Sequence, residues 1–377
     1  MTGRKLFNLA INGAAYVSRS PSIRSVPSVV KIDISPLCSL QCPVCVHAAP
    51  DGREKPLLSA QKFRKTDVMS VVDFKSIIDK LEGKALAVSL FYFGDPLMHP
   101  NLNELCGIAR AARLNVHITT HLSYNLSDAK IESLADSGVT HVTVSLDGAS
   151  QEVYASTRIR GRHDWVVSNL RRLLAHRRRR GGKYPIVEVQ YIPHTHHPLG
   201  EAEKVRAIAA ECGADEFSTI NPYPLENIVD EDPDNFTIGQ TRPRGVVPNC
   251  PWPYTSIVVK YNGDVIPCCN YRAARQHTDL DDQRVAGNIF RESLSDLWNG
   301  KAYRDMRRLV SRPSLAANDA SLKKSFCYGC PVLMERKEKI AEPTISGAVA
   351  LPRSHGRKSS ARDDREQRSH ADAEYSR

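Results

Sequence analysis

Three thiols carry the first hint of chemistry: Cys38, Cys42 and Cys45, in Cys38-Ser39-Leu40-Gln41-Cys42-Pro43-Val44-Cys45. They follow Val29-Val30-Lys31-Ile32-Asp33-Ile34, whose alternation predicts a β-strand, so all three sit on the loop leaving that strand. A closed structural zinc site takes four nitrogen or sulfur ligands; no fourth Cys lies nearby, and His47 is the nearest residue that could complete one. A four-iron cluster, in contrast, can be held by three thiolates with one iron left open to a substrate. On this trio alone both readings stand.

A second set lies far downstream: Cys250, Cys268, Cys269, Cys327 and Cys330. Cys268 follows two apolar runs joined by Asn262-Gly263, a tight-turn signal, and Cys327-Tyr328-Gly329-Cys330 closes the segment. The four thiolates of Cys250, Cys268, Cys327 and Cys330 suffice for one closed four-iron cluster, and zinc would fit the same four. Cys269 is left over, as a buried small residue, a substitute ligand or a hydrogen-atom donor. Cys106 and Cys212 fall inside apolar helical periodicity and read as core. Eight of ten cysteines in two tight groups point to metal use in a reducing compartment, hence a cytoplasmic protein, not a disulfide framework.

Cys38-x3-Cys42-x2-Cys45 after a first strand resembles the radical S-adenosylmethionine (SAM) superfamily. The resemblance implies a 4Fe-4S cluster on those three Cys, with SAM on the open iron and reductive cleavage to a 5′-deoxyadenosyl radical that abstracts hydrogen. Gly94-Asp95-Pro96 resembles the family's Gly-Gly-Glu-Pro segment, with Phe93 in place of the first Gly and a shorter acid. By the same resemblance Gly94 and Asp95 would hold the SAM amino group, Ser145 and Arg158 (or Arg160) its carboxylate or ribose, and Gln190 would face it. The segment from Cys250 onward resembles the SPASM/twitch extension, which implies auxiliary iron–sulfur binding; with no Cys after Cys330, one auxiliary 4Fe-4S cluster is expected, on Cys250, Cys268, Cys327 and Cys330.

The elements that must position these residues follow from periodicity. Strands are predicted at 86–92, 115–119, 140–145, 186–192 and 215–220, and helices near 70–82, 101–113, 127–136, 163–179 and 200–212. With the first strand this makes six parallel-type βα units, wound right-handed, with a site at the carboxyl ends of the strands. The resemblance makes that a partial (β/α)6 barrel. The expected layout is an N-terminal helix and connector over 1–28, the barrel over 29–222, a linker over 223–249, the SPASM/twitch domain over 250–335, and a disordered tail over 341–377. The polar stretch 48–68 reads as a long functional loop.

The net charge of +10 raises the question of nucleic acid, but much of it sits in Arg171-Arg172 and Arg177-Arg178-Arg179-Arg180 without interleaved aromatics, the pattern of a solvated helix end. The N-terminus, apolar around Leu6, Phe7, Leu9 and Ile11 but interrupted by Asn8, Asn12 and Gly13, reads as an amphipathic helix packed on the domain, neither signal peptide nor membrane span. The expected function is hydrogen abstraction from a small natural-product or sugar-like substrate, leading to dehydrogenation or epimerisation, with the auxiliary cluster in electron transfer and a flavodoxin- or ferredoxin-type reductant. A peptide or protein substrate is the alternative. A non-catalytic zinc or nucleic-acid-binding protein is the alternative from another class. Candidate bases are His121 and the His194-Thr195-His196-His197 run, with Asn221 and Tyr223 as substrate contacts.

Overall fold

Alternating apolar residues of successive parallel strands meet in one core. The computed structural model describes residues 2–43, 45, 47, 63–220, 236–238, 248, 250–268, 285–328, 330 and 333–336; most of 48–68 and of the 223–249 linker, Asn221, Tyr223, Cys269 and the 341–377 tail lie outside them. The strands are β1 (Val29–Ile32), β2 (Ala87–Ser89), β3 (Asn115–Thr120), β4 (His141–Ser145), β5 (Ile186–Tyr191) and β6 (Glu216–Thr219). Each pairs parallel with the next. Between them run α2 (Val71–Leu81), α3 (Leu102–Ala111), α4 (Asp128–Asp136), α5 (Gln151–Thr157), α6 (His163–Arg179) and α7 (Glu201–Cys212).

Several helices start where a Ser can cap them. The Ser70, Ser127 and Ser150 hydroxyls accept the backbone N–H groups of Asp73 (3.0 Å), Lys130 (3.4 Å) and Val153 (3.3 Å). Val30, Ile32, Val88, Val116, Ile118, Val142, Val144, Val187 and Val189 share one buried cluster with Phe74, Ile77, Leu105, Leu170 and Val205 of the helices. The helices therefore cover one face. On the other face the alternating residues are polar and half-buried, as on Lys31, His117 and Glu188. A parallel sheet packed on both faces would be apolar throughout; this one keeps its second face for something polar.

The sheet does not stop at six strands. A hairpin of β8 (Ser256–Val259) and β9 (Asp264–Ile266) joins the free edge of β1, with β8 parallel to β1 in the register Val29↔Ser256, and β10 (Gly287–Asn288) follows. The order is β10-β9-β8-β1-β2-β3-β4-β5-β6. The hairpin thus closes a sheet edge that would otherwise expose unpaired backbone. It also fuses the second cysteine segment to the first within one compact unit, Met1–Ile340. Gly263 takes φ +85° at the turn, the left-handed conformation that the Asn-Gly pair anticipates. A separate pair, β7 (Phe236–Ile238) and β11 (Met334–Arg336), is antiparallel.

The N-terminal helix α1 (Gly3–Ser18) forms and packs on the domain, and it does so through a largely polar face. Asn8 and Asn12 point inward and both donate to the Val26 carbonyl (3.0 and 2.9 Å), while Leu6, Phe7, Leu9 and Val17 are exposed. The buried amides satisfy a connector that has no sheet partner of its own, and that requirement outranks apolar burial. On α6 the arginine run is matched by acids: Arg172 to Asp128 (2.8 Å), Arg179 to Glu132 (3.3 Å) and Arg177 to Asp215. No helix among the described residues is long and apolar enough to cross a membrane.

Candidate active site

The Cys loop is pinned to the segment that follows β2 and to the connection between α5 and α6. Asp95 N–H donates to the Leu37 carbonyl (2.8 Å) and Gln41 N–H to the Ile159 carbonyl (3.1 Å). Gly94 is needed for the first of these contacts, because a Cβ there would lie 2.2 Å from the Leu37 carbonyl oxygen and 2.3 Å from that of Ser35. Gly94→Ala is accordingly expected to cost on the order of 1–3 kcal/mol, read as a lower denaturation midpoint at unchanged m-value.

Asp95 is buried and its carboxylate is fully engaged. Its oxygens accept the Thr120 hydroxyl (2.8 Å), His121 N–H (2.9 Å) and Leu97 N–H (3.0 Å), with His121 Nε2 at 3.3 Å. His121 Nδ1 accepts Ser123 N–H (3.0 Å), so its one ring proton is on Nε2, facing Asp95 and Ser39. Burial holds that ring's pKa below the ordinary value in spite of Asp95. A ring with its acceptor nitrogen already used cannot take a substrate proton. Arg158 Nε donates to Asp147 (2.7 Å), whose other oxygen accepts Ile192 N–H (2.9 Å), and the guanidinium also reaches the Cys42 sulfur. Arg160, two residues on, is left-handed, φ 71°, in the loop that holds Gln41. Ser145 and Gln190 are paired in register on β4 and β5. Of the residues singled out for SAM, Gly94 and Asp95 therefore flank the Cys38 side, Arg158 the Cys42 side, and Ser145 and Gln190 the polar face between strands.

Cys38, Cys42, Cys106, Cys212 and Cys327 are free thiols. Burial raises the pKa of Cys38, and the Asp95 charge raises it further; burial raises that of Cys42 against the opposing Arg158 charge. In the second set burial pushes the Cys327 thiol far up, and its neighbours Cys330, Cys268 and Cys250 add to this. Clustered half-buried thiols that resist ionisation are the arrangement that a bound cationic centre reverses, since metal coordination deprotonates them. Among the described residues no three Cys, His, Asp or Glu converge as ligands of a single ion would; a polynuclear core spaces its thiolates around a cage. Both sets fit cluster binding on this chemistry. A small apolar cluster of Tyr92, Phe93, Val258 and Ile266 has Trp252, Phe63, Phe326, Cys45 and Cys268 packed against it.

Sequence reasoning missed a polar chain on the inward face of the sheet. The Ser89 hydroxyl bonds His117 Nδ1 (3.2 Å), His117 Nε2 bonds Thr143 Oγ1 (2.9 Å), and Thr143 donates to Glu188 Oε2 (2.9 Å). Ser218 donates to Glu188 Oε1, and His141 Nε2 lies 3.5 Å from Oε2. Thr143 has one proton and gives it to Glu188, so His117 must donate from Nε2 and accept at Nδ1. The chain runs one way, from β2 to the carboxylate on β5. The signal was present in the sequence as the polar members of Val-His-Ile-Thr, His-Val-Thr-Val-Ser and Val-Glu-Val-Gln, but only strand register brings them together.

Burial, together with the His141 and Lys31 charges, pushes His117 down to about 4. An unfolded His binds a proton near about 6.5. Between those values the unfolded chain holds more protons, so this contribution is complete above about 6.5 and is lost as pH falls toward 4. Melting curves of wild type and His117→Gln across that window should show the variant with the shallower decline.

The profile of the radical SAM superfamily matches residues 32–189, and that of the SPASM iron–sulfur cluster-binding domain matches residues 250–331. The GTP 3′,8-cyclase of Chlorobaculum tepidum is 29% identical over 146 residues, 39% of this chain and 41% of that enzyme, so the match spans about two fifths of its length. The SAM-dependent 2-deoxy-scyllo-inosamine dehydrogenase of Niallia circulans is 19% identical over 307 residues, 80% of this chain and 92% of that one. Among solved structures, SuiB of Streptococcus suis bound to its precursor peptide SuiA shares the fold with a TM-score of 0.59 at 17% identity, covering 87% of this chain and 76% of that one.

Proposed function

Because this chain belongs to the radical SAM superfamily and carries a C-terminal SPASM domain, we propose that it removes hydrogen from a small hydroxyl- or amine-bearing substrate held on the polar face of the sheet. In this reading Cys38, Cys42 and Cys45 hold the SAM-binding 4Fe-4S cluster, and Cys250, Cys268, Cys327 and Cys330 hold one auxiliary 4Fe-4S cluster. When bound, the clusters supply the electron that splits the SAM sulfonium and the acceptor for an electron leaving the substrate.

The chain's own residues supply position and proton transfer. Asp95, already oriented by Thr120 and His121, presents negative charge to the SAM ammonium. Arg158 lies where it can meet the SAM carboxylate from the Cys42 side. Ser145, Gln190 and Gly94 shape the remaining walls. The observation that carries the substrate class is the Ser89–His117–Thr143–Glu188 chain, which can pass a substrate O–H or N–H proton to Glu188. That carboxylate is held ionised: burial works against it, but hydrogen bonds from Ser218, Thr143 and His141 outweigh burial and leave its pKa below the ordinary range. It is a better candidate acceptor than His121, whose acceptor nitrogen already takes the Ser123 N–H. Oxidation of an alcohol or amine carbon, as in the dehydrogenase relative, uses these parts directly. A peptide substrate is the second reading, favoured by the fold shared with the peptide-bound SuiB.

Anaerobic reaction of the reconstituted protein with 2-deoxy-scyllo-inosamine and related aminocyclitols, deuterated on the ring carbons, tests the class. Deuterium in 5′-deoxyadenosine supports it. Transfer only from deuterated peptides would replace it with the second reading.

A further inference from the structure

The outward face of α1 has no polar side chain along its middle. Leu6, Phe7, Leu9, Ala10, Ala14 and Val17 lie on it, and between Lys5 and Ser18 every exposed position is apolar or glycine. Phe7 is 69% exposed, Val17 56% and Leu6 49%. Polar residues of the same stretch point the other way: Asn8 and Asn12 hold the Val26 carbonyl, and the buried Lys5 ammonium donates to the Arg113 carbonyl (2.6 Å). A surface helix ordinarily does the opposite, with its apolar stripe inward and its polar residues in water. A contiguous apolar strip left in solvent marks a surface that something covers.

Charge narrows what that cover can be. Residues 1–32 contain no Asp or Glu, and they carry Arg4, Lys5, Arg19, Arg24 and Lys31. Arg4 at the start of α1, Arg113 beside it and Arg24 on the connector past its other end are all exposed. Burial, and then the Arg110 and Arg113 charges, lower the Lys5 pKa, as a positive field at that end requires. Two copies meeting through this face would set arginines against arginines, whichever way the helices ran. An acidic protein would answer the arginines, but a protein interface is also laced with hydrogen bonds, and the middle of this face has no side chain to make them. An anionic bilayer needs none: an interfacial helix sinks its apolar face toward the acyl chains and leaves its cations at the headgroups.

We propose that the outward face of α1, with Arg4, Arg24 and Arg113 beside it, is a docking surface for an anionic lipid bilayer, on which the helix lies in the plane of the interface. The helix has 16 residues and is about 24 Å long, so it lies along the membrane surface without crossing it. None of the cysteines is on α1, so the docking holds or fails apart from the cluster chemistry and the substrate.

Co-sedimentation of the full chain with vesicles is the test, using phosphatidylcholine alone and phosphatidylcholine mixed with phosphatidylglycerol. The wild type is expected to bind the phosphatidylglycerol vesicles at least about tenfold more tightly than the neutral ones, and added salt should shrink that difference. Leu6→Gln with Phe7→Gln should weaken binding to the anionic vesicles by at least about tenfold, at an unchanged melting temperature, because both side chains are exposed and Gln is as good a helix former. Arg4→Gln, Arg24→Gln and Arg113→Gln combined should abolish the preference for phosphatidylglycerol. No binding to either vesicle, equal binding of the wild type to both, or undiminished binding of the Leu6/Phe7 variant would overturn the proposal. So would an arginine variant that keeps the preference. Light scattering of the lipid-free protein covers the other occupant: a dimer that the Leu6/Phe7 variant dissociates would give the face to a second copy and overturn the bilayer assignment.

Discussion

Cys38→Ala, Cys42→Ala and Cys45→Ala combined should give a folded protein that cleaves no SAM. The three side chains sit on a loop held by backbone bonds from Asp95 and Gln41, and none belongs to the main core. Their loss should therefore leave the melting temperature of the metal-free chain within a few degrees of wild type. Formation of 5′-deoxyadenosine should fall by at least about a thousandfold, roughly 4 kcal/mol of lost transition-state stabilisation. About four of about eight irons should disappear, because the second cysteine set is separate. Loss of nearly all iron would mean that the two sets do not assemble independently. Two bound zincs and salt-dependent RNA binding would favour the non-catalytic alternative.

Arg158→Met should be the most destabilising single change near the site. Its partner Asp147 is 1% exposed, and Arg158 closes the 2.7 Å pair that neutralises it. Removing one partner of a buried pair strands the other, at roughly 3–5 kcal/mol, a large part of a domain's typical stability of about 5–15 kcal/mol. Adding Asp147→Asn should recover part of that stability, since the stranded charge is then gone. SAM affinity should stay low in the double variant if the guanidinium also serves the SAM carboxylate. Recovery of SAM binding together with stability would reduce Arg158 to a structural role. Denaturant titration and equilibrium binding, each on the single and double variants, separate the two.

The parts of this molecule set by local rules were readable in the sequence. Helical periodicity, valine alternation and the Asn262-Gly263 turn are short-range signals, and the helices and strands they mark formed within a residue or two of the expected bounds at most positions. Three features were not readable, each for a long-range reason. The pairing of β8 with β1 joins residues more than two hundred positions apart, and nothing in either segment announces the partner. The inward face of α1 was not legible because the backbone carbonyl that Asn8 and Asn12 satisfy, that of Val26, lies in a connector whose course only the fold decides. The Glu188 chain escaped notice because four ordinary residues on four strands become one array only through register. Arg158 stands out in the sequence, but its Nε bond to Asp147 shows only in the structure.

The central claim is that the first three thiols leave one iron open for SAM. The most direct measurement is EPR of the reduced, oxygen-free, reconstituted protein before and after SAM, followed by chromatography of the same sample. The account predicts a changed cluster spectrum on adding SAM and accumulation of 5′-deoxyadenosine. An unchanged spectrum with no 5′-deoxyadenosine, in protein shown to carry the iron, would contradict it.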